Sequence, residues 1–138
     1  MKIKDYQDEI IALCKENAVG LIYLFGSYAQ DTANPTSDID IAILLSNRNR
    51  QDYQELRLFF INALMRILHK NDLDVVLLNE ASIALRFNII KNGKLLYVND
   101  EKQRIDFESR AIIDYIETNP LRQEYNKYLF KNIKEGKF

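Results

Sequence analysis

The sequence predicts an α/β (α+β) fold in which a small mixed sheet is flanked by helices. Short segments rich in Ile, Val, Tyr and Phe alternate with longer segments whose apolar residues recur every three or four positions. Interleaved strands and helices imply a sheet that helices cover on at least one face. The chain has 138 residues, 47% of them hydrophobic, which is enough for one self-standing core. We therefore expect a single domain over residues 1–138.

The order of the predicted elements is helix, two strands, and then helices alternating with strands. Gly20 is expected to end the first helical segment, and Asn92-Gly93 suits a later helix end. The strands are predicted at 21–25, 39–45, 73–78 and 94–98, and the helices at 3–16, 53–68, 81–91, 100–117 and 121–135. The core then spans about residues 18–98, with C-terminal helices over about 100–136.

Composition excludes several classes of protein. Nineteen Lys and Arg against twenty Asp and Glu give a net charge of −1, so we expect no direct nucleic-acid contact, which calls for a basic surplus. A single cysteine, Cys14, cannot form an internal disulfide, and no signal peptide precedes it. Apolar runs fall far short of the ~20 residues of a membrane span. These observations predict a soluble cytoplasmic protein that does not bind membranes.

Two carboxylates begin the predicted strand over residues 39–45. Asp38 and Asp40 are two positions apart, so on a strand they point to the same face and repel each other. Proton sharing, a neighbouring Arg or Lys, or divalent cations would relieve that repulsion. An acid pair near a strand end also suits a turn or a helix cap, and the pair by itself leaves both interpretations open.

A third acid favours the interpretation that the carboxylates bind divalent cations. Asp74 lies inside an apolar segment, where a turn does not explain it; Asp72 replaces it if the strand begins later. If this strand pairs beside the Asp38 and Asp40 strand, three carboxylates cluster at one end of the sheet. Such hard oxygen ligands fit Mg²⁺ or Mn²⁺. Two such ions about 3.5–4 Å apart stabilise the attacking and leaving oxygens of an in-line displacement.

A candidate phosphate-binding turn precedes the acids. Gly26-Ser27 directly follows the predicted strand at 21–25, and ten residues separate Ser27 from Asp38. Glycine lets the backbone approach a ligand closely, and a hydroxyl with successive N–H groups can hold phosphate oxygens. Ser37, just before Asp38, is a further candidate for phosphate contact, or for a local cap, and the sequence leaves both open.

Together these motifs resemble the minimal nucleotidyltransferases of the polymerase-beta-like superfamily. The resemblance is carried by Gly26-Ser27-Tyr28-Ala29, by Ser37-Asp38-Ile39-Asp40-Ile41 and by the apolar strand around Asp74. It implies that the Gly-Ser turn binds the triphosphate of ATP and that Asp38 and Asp40 hold two Mg²⁺ ions. Asp74 would complete the triad and help activate an acceptor hydroxyl. The implied reaction is attack on the α-phosphorus with release of pyrophosphate. Ala29-Gln30-Asp31 departs from the Ala-Arg-Gly of many relatives.

The chain is similar to the antitoxin of toxin–antitoxin pairs whose toxin is a HEPN-domain ribonuclease. That likeness implies transfer of AMP to a tyrosine of the toxin, which disables it. Two alternatives stay open: an antitoxin that only binds and blocks the toxin, and a stand-alone transferase for a small hydroxylated molecule. Residues 119–138 carry five basic and two acidic side chains, whereas 99–118 carry three and six. This reversal suits a docking surface for a partner, or a solvated helix packed on the chain's own core.

Several other residues receive simpler interpretations. Cys14 lies on the apolar stripe of the first helix and is expected in the core, and His69 is expected at a helix C-terminus. Arg104 and Glu108 are expected to form an i,i+4 pair on a helix. Tyr23, beside the phosphate turn, is a candidate to stack on a base or an ordinary strand residue.

Overall fold

A computed structural model describes residues 3–26, 38–46 and 52–118, together with residues 124, 127, 128 and 131. A short 3-10 turn, Ile3–Tyr6, leads into the first helix. The elements that follow are α1 (Gln7–Glu16), β1 (Val19–Phe25), β2 (Ile39–Leu45), α2 (Tyr53–Leu68), β3 (Leu73–Leu77), α3 (Ile83–Asn92), β4 (Lys94–Val98) and α4 (Glu101–Thr118).

The four strands form one mixed sheet in the order β3-β2-β1-β4. β1 pairs antiparallel with both β2 and β4, whereas β2 and β3 are parallel. The parallel pair is possible because α2 carries the chain back across the sheet between β2 and β3. The predicted small mixed sheet flanked by helices is confirmed.

Alternating side chains give the sheet two different faces. Along β2, Ile39, Ile41 and Ile43 are fully buried in a large apolar cluster shared with α1 and α2. The intervening positions point to the opposite face, where Ala42 joins a smaller cluster with residues of α3. We call these the α1/α2 face and the α3/α4 face. The acids of β2 and β3 lie on the second of them.

The ends of α2 follow from local chemistry. The Asp52 side chain caps the N-terminus by accepting hydrogen bonds from the backbone N–H groups of Gln54 and Glu55, at 3.0 and 3.2 Å. His69 ends the helix with a left-handed φ of 52°, which confirms its predicted place at a helix C-terminus.

The prediction that Gly20 ends the first helical segment was wrong. The helix stops at Glu16 with Asn17 as its cap, and Ala18, at φ 53°, turns the chain. Gly20 instead lies inside β1, which begins at Val19, two residues before the predicted strand. The side chain of Gln103 on α4 occupies the place that a Cβ at Gly20 would take, so glycine there serves packing.

The predicted helix over 121–135 lies mostly outside the described residues. The four that are described, at 124, 127, 128 and 131, are helical and exposed. Among the residues that the structure covers, no helix is long and apolar enough to cross a membrane.

Candidate active site

The paired strands β2 and β3 bring two of the predicted acids side by side. Asp40 is the second residue of β2 and is the register partner of Asp74 on parallel β3. Residues in register on neighbouring strands point to the same face, so both carboxylates project from the α3/α4 face. The register places Asp74 there and leaves Asp72 before the strand, where its carbonyl accepts a hydrogen bond from the Ile39 N–H at 2.9 Å. Of the two alternatives, Asp74 is the one that faces Asp40.

The third predicted acid, Asp38, lies just before β2 and is exposed. Its negative charge still reaches Asp40. Burial, reinforced by the charges of Asp74 and Asp38, raises the pKa of the Asp40 carboxyl above its usual value. Because like charges resist ionising together, this end of the sheet attracts a cation or a proton.

Gly26 closes the same site from β1. Its φ is +75°, a backbone conformation that favours glycine, and it follows Phe25, the register partner of Asp40. A Cβ built at Gly26 would collide with the carboxylate oxygen Oδ2 of Asp40 and lie 3.3 Å from its Cγ. The predicted phosphate-binding turn therefore begins directly against the predicted metal ligand.

Two of the predicted site residues, Ser27 and Ser37, lie outside the described residues, as do Tyr28, Ala29, Gln30 and Asp31. Their proposed contacts with phosphate remain predictions. The described part of the turn is its first residue, Gly26.

The donor set fits a hard cation, although the side chains are not gathered as a metal centre in this structure. Within residues 3–26, 38–46 and 52–118, no three acidic, His or Cys side chains are close enough together to hold a metal ion. The chemistry of the three carboxylates nevertheless matches Mg²⁺, which takes oxygen ligands and is bound through a few carboxylates with water and phosphate. Burial first, and then the charges of Asp74 and Asp38, raise the pKa of Asp40, and a bound cation would oppose both effects.

Arg57, on α2, is a site residue that the sequence did not reveal. Its Nη2 donates a hydrogen bond to Oδ1 of Asp74 at 2.7 Å, and its Nε donates to the Val75 carbonyl at 2.8 Å. On sequence an arginine between apolar positions of a helix is typical of a solvated face. No spacing signal links it to a strand seventeen residues later.

The remaining candidates are mostly structural. Tyr23 is 2% exposed and its hydroxyl donates to Oε1 of Glu108 at 2.8 Å, so of its two interpretations the structure supports the ordinary strand residue. Arg104 pairs with Glu108 at 2.9 Å, as predicted for i,i+4 neighbours. Cys14 is buried in the core, as predicted, and that burial raises the pKa of its thiol to about 12.

Fold and site together define a class of protein. The sequence profile of the family described as polymerase beta, nucleotidyltransferase matches residues 8–102, and the chain belongs to that family. Among individual proteins, it is 33% identical over 128 residues to the protein adenylyltransferase MntA of Shewanella oneidensis, across 82% of this chain and 88% of MntA.

Solved structures agree with that likeness. A chain in the crystal structure of a toxin–antitoxin with AMP-PNP matches with a TM-score of 0.70 at 32% identity, over 90% of this chain and 98% of that one. A second match is a complex of the tri-AMPylated HEPN toxin of Shewanella oneidensis with its MNT antitoxin. Its TM-score is 0.67 at 29% identity, over 92% of this chain and 98% of that one.

Proposed function

We propose that this chain is an Mg²⁺-dependent nucleotidyltransferase antitoxin that transfers AMP from ATP to a tyrosine hydroxyl of a partner HEPN ribonuclease toxin and so neutralises it. The observation that carries the proposal is the register pairing of Asp40 with Asp74 beside the Gly26 turn. The likeness to the adenylyltransferase MntA and to toxin–antitoxin complexes supports the donor and the partner.

The proposed roles follow from position. Asp38 and Asp40 would hold two Mg²⁺ ions, or Mn²⁺ in their place, and Asp74 would complete the set. Gly26, Ser27 and Ser37 would bind the triphosphate, with the turn at Gly26 bringing the backbone close to Asp40. Bound Mg²⁺ supplies positive charge to the phosphate oxygens and lowers the pKa of an oxygen that it contacts.

The reaction is an in-line displacement. The acceptor hydroxyl oxygen bonds to the α-phosphorus of ATP, the bond between that phosphorus and the pyrophosphate oxygen breaks, and pyrophosphate leaves. Asp74, whose side chain is 53% exposed, would accept the proton of the hydroxyl. Burial and the charges of Asp74 and Asp38 raise the pKa of Asp40, so a cation bound there would favour its ionised form.

The whole chain, residues 1–138, is proposed as one transferase domain, with a core over about 18–98 and C-terminal helices over about 100–136. The described strands share a single sheet, which supports this division. Cytoplasmic ATP makes the cytoplasm the proposed place of action.

The test is transfer of label from α-³²P-ATP in the presence of Mg²⁺ and the protein encoded beside this chain. We expect label on the partner, and a loss of at least about 100-fold in Asp38→Asn and Asp40→Asn, since ligand loss should exceed the 10–100-fold effect of outer contacts. Asp72→Asn, an exposed acid next to β3, is the matched control and should stay within about twofold.

Other outcomes identify the alternatives. A tight complex without label would replace the proposal with a binding-only antitoxin. Label on an aminoglycoside or a similar small alcohol, with none on the protein, would assign a small-molecule transferase. Equal losses of transfer activity in Asp72→Asn and Asp40→Asn would remove the reason for choosing Asp74, and not Asp72, as the third acid of the site.

A further inference from the structure

Arg57 reaches around one edge of the sheet. It lies on α2, which packs on the α1/α2 face, yet its guanidinium bonds to Asp74, which belongs to the α3/α4 face. The side chain makes this crossing at β3, the outermost strand on that side. Its Nε donates a hydrogen bond to the Val75 carbonyl at 2.8 Å and its Nη2 donates one to Asp74, so two hydrogen bonds fix the guanidinium.

The backbone of β3 explains why Val75 is available. The Ile39 N–H donates to the Asp72 carbonyl and the Leu78 N–H donates to the Ile43 carbonyl. In a parallel ladder the residues of one strand that bond to its neighbour alternate, so the even-numbered residues of β3 bond toward β2. Val75 therefore turns its N–H and its carbonyl to the open edge, where an edge strand needs partners.

Both partners come from the Arg57–Asp74 pair. The Val75 N–H donates to Oδ1 of Asp74 at 2.9 Å, and the Val75 carbonyl accepts from Arg57. Arg57 and the Val75 N–H thus hold the same carboxylate oxygen. Both hydrogen bonds described for the Asp74 side chain go to Oδ1, so neither of them occupies Oδ2.

We propose that Arg57 is a positioning residue that fixes the Asp74 carboxylate in one orientation opposite Asp40, and so sets both cation binding and turnover at the site. The inference rests on the proposed function, because it takes Asp74 as a member of the metal-binding set. A carboxylate that is 53% exposed on an edge strand would otherwise sample several rotamers. Outer contacts that orient metal ligands commonly change affinity or activity by about 10–100-fold.

A purely structural role makes a different prediction. If Arg57 only satisfied the edge of β3, its replacement would lower the stability of the fold and leave the site alone. A surface ion pair of this exposure contributes little to stability, with 38% of Arg57 and 53% of Asp74 accessible. Measurements of cation binding and turnover therefore distinguish the two roles. In a positioning role, the effect of replacing Arg57 must depend on the presence of Asp74.

The experiment uses Arg57→Lys, which keeps the positive charge but loses the planar two-point fork. Mn²⁺ is titrated into the full chain without nucleotide, and free Mn²⁺ is followed by electron paramagnetic resonance. The same variant is assayed for kcat and for the KM of ATP. We expect Mn²⁺ affinity to fall about 10-fold and kcat about 10–100-fold, with KM within about threefold. Arg66→Lys, the same change at an exposed position of the same helix, should leave all three values unchanged.

The decisive comparison repeats Arg57→Lys in an Asp74→Asn background. In that background Arg57→Lys should change Mn²⁺ affinity by less than about twofold, because the Asp74 carboxylate that Arg57 orients is no longer present. An undiminished effect in that background overturns the proposal, as does an Arg57→Lys chain that binds Mn²⁺ and turns over like the wild type. Arg57→Gln gives a second variant, read by the same cycle, if the lysine chain does not fold.

The Mn²⁺ titration separates this inference from the proposed function. A chain that transfers no AMP, yet loses Mn²⁺ affinity on Arg57→Lys in the presence of Asp74, retains the positioning role and loses the proposed reaction. A chain that transfers AMP with no response to Arg57→Lys retains the reaction and loses the positioning role.

Discussion

The helices on the two faces of the sheet differ in how many of their own apolar side chains they bury. On the α1/α2 face, α2 buries Phe60, Leu64 and Leu68 in a continuous apolar cluster. On the α3/α4 face, α4 is two residues longer than α2, yet Ala111 is its buried residue. α4 leaves Ile105, Ile112, Ile113 and Ile116 between 39% and 52% exposed.

That difference suggests a division of roles, with one face contributing more to stability and the other carrying the carboxylates. The α1/α2 face supplies the larger of the two apolar clusters, and apolar burial is the main favourable contribution to folding. The acids project from the α3/α4 face at one end of β2 and β3, where Asp74 is 53% exposed and a charged substrate can reach it. A carboxylate pair under a complete layer of helix would carry a desolvation cost of several kcal/mol per ion.

The largest expected effect tests the α1/α2 face. Leu64→Ala, at a position with no accessible surface, should lower the free energy of unfolding by about 2–5 kcal/mol, because it leaves a cavity in the cluster. Ile105→Ala, on α4 and 52% exposed, should cost less than about 1 kcal/mol. Urea unfolding of both variants measures the contrast, and similar costs would show that the exposed Ile105 of α4 contributes as much as the buried Leu64 of α2.

A smaller effect tests how α4 is attached. Tyr23→Phe removes the hydrogen bond from β1 to Glu108, and we expect a cost of about 1.5–3 kcal/mol, typical of a bond to a charged group. Tyr97→Phe is the matched control, since its hydroxyl has an exposed contact with Asn99 at 3.4 Å. If the two phenylalanine variants unfold at the same urea concentration, polar contacts do not hold α4 to the sheet.

The smallest expected effect concerns how much the Asp40 carboxylate lowers the stability of the fold. Because the pKa of Asp40 is raised in the folded chain, that chain retains a proton that the unfolded chain has already lost. Stability should therefore fall as the pH rises from the usual Asp value, about 4, through the raised pKa. Asp40→Asn should flatten this dependence and raise Tm at neutral pH.

Thermal melts of Asp40→Asn across that pH range, with a chelator present, provide the measurement. Asp72→Asn is the control because Asp72 is exposed and outside the register pair. A melting temperature of Asp40→Asn below that of the wild type at neutral pH would mean that the carboxylate stabilises the fold.

Much of this arrangement could be predicted from the sequence because it depends on local periodicity. Alternation along residues 39–45 and 73–78 fixes which side of each strand the acids occupy, so Asp40 and Asp74 were predicted to meet once the strands were neighbours. Helical steps likewise predicted α2 and α4 within one or two residues.

The rest depends on contacts between distant segments. The collision that any side chain at Gly26 would have with Asp40 follows from the β1–β2 register, which no local pattern specifies. Gly20 suits a helix end on sequence, but it lies inside β1 at the point where the β1–β2 register shifts. Arg57 looks like a surface arginine until the edge of β3 is beside it.

Because β3 lies at the edge of the sheet, its position affects the order in which the protein loses its activity and its fold. β3 has β2 as its one neighbour in the described sheet, so it leaves the sheet when a single ladder of hydrogen bonds breaks. Partial opening there would carry Asp74 away from Asp40 while the antiparallel strands β2, β1 and β4 stayed together. Activity would then disappear before the fold does.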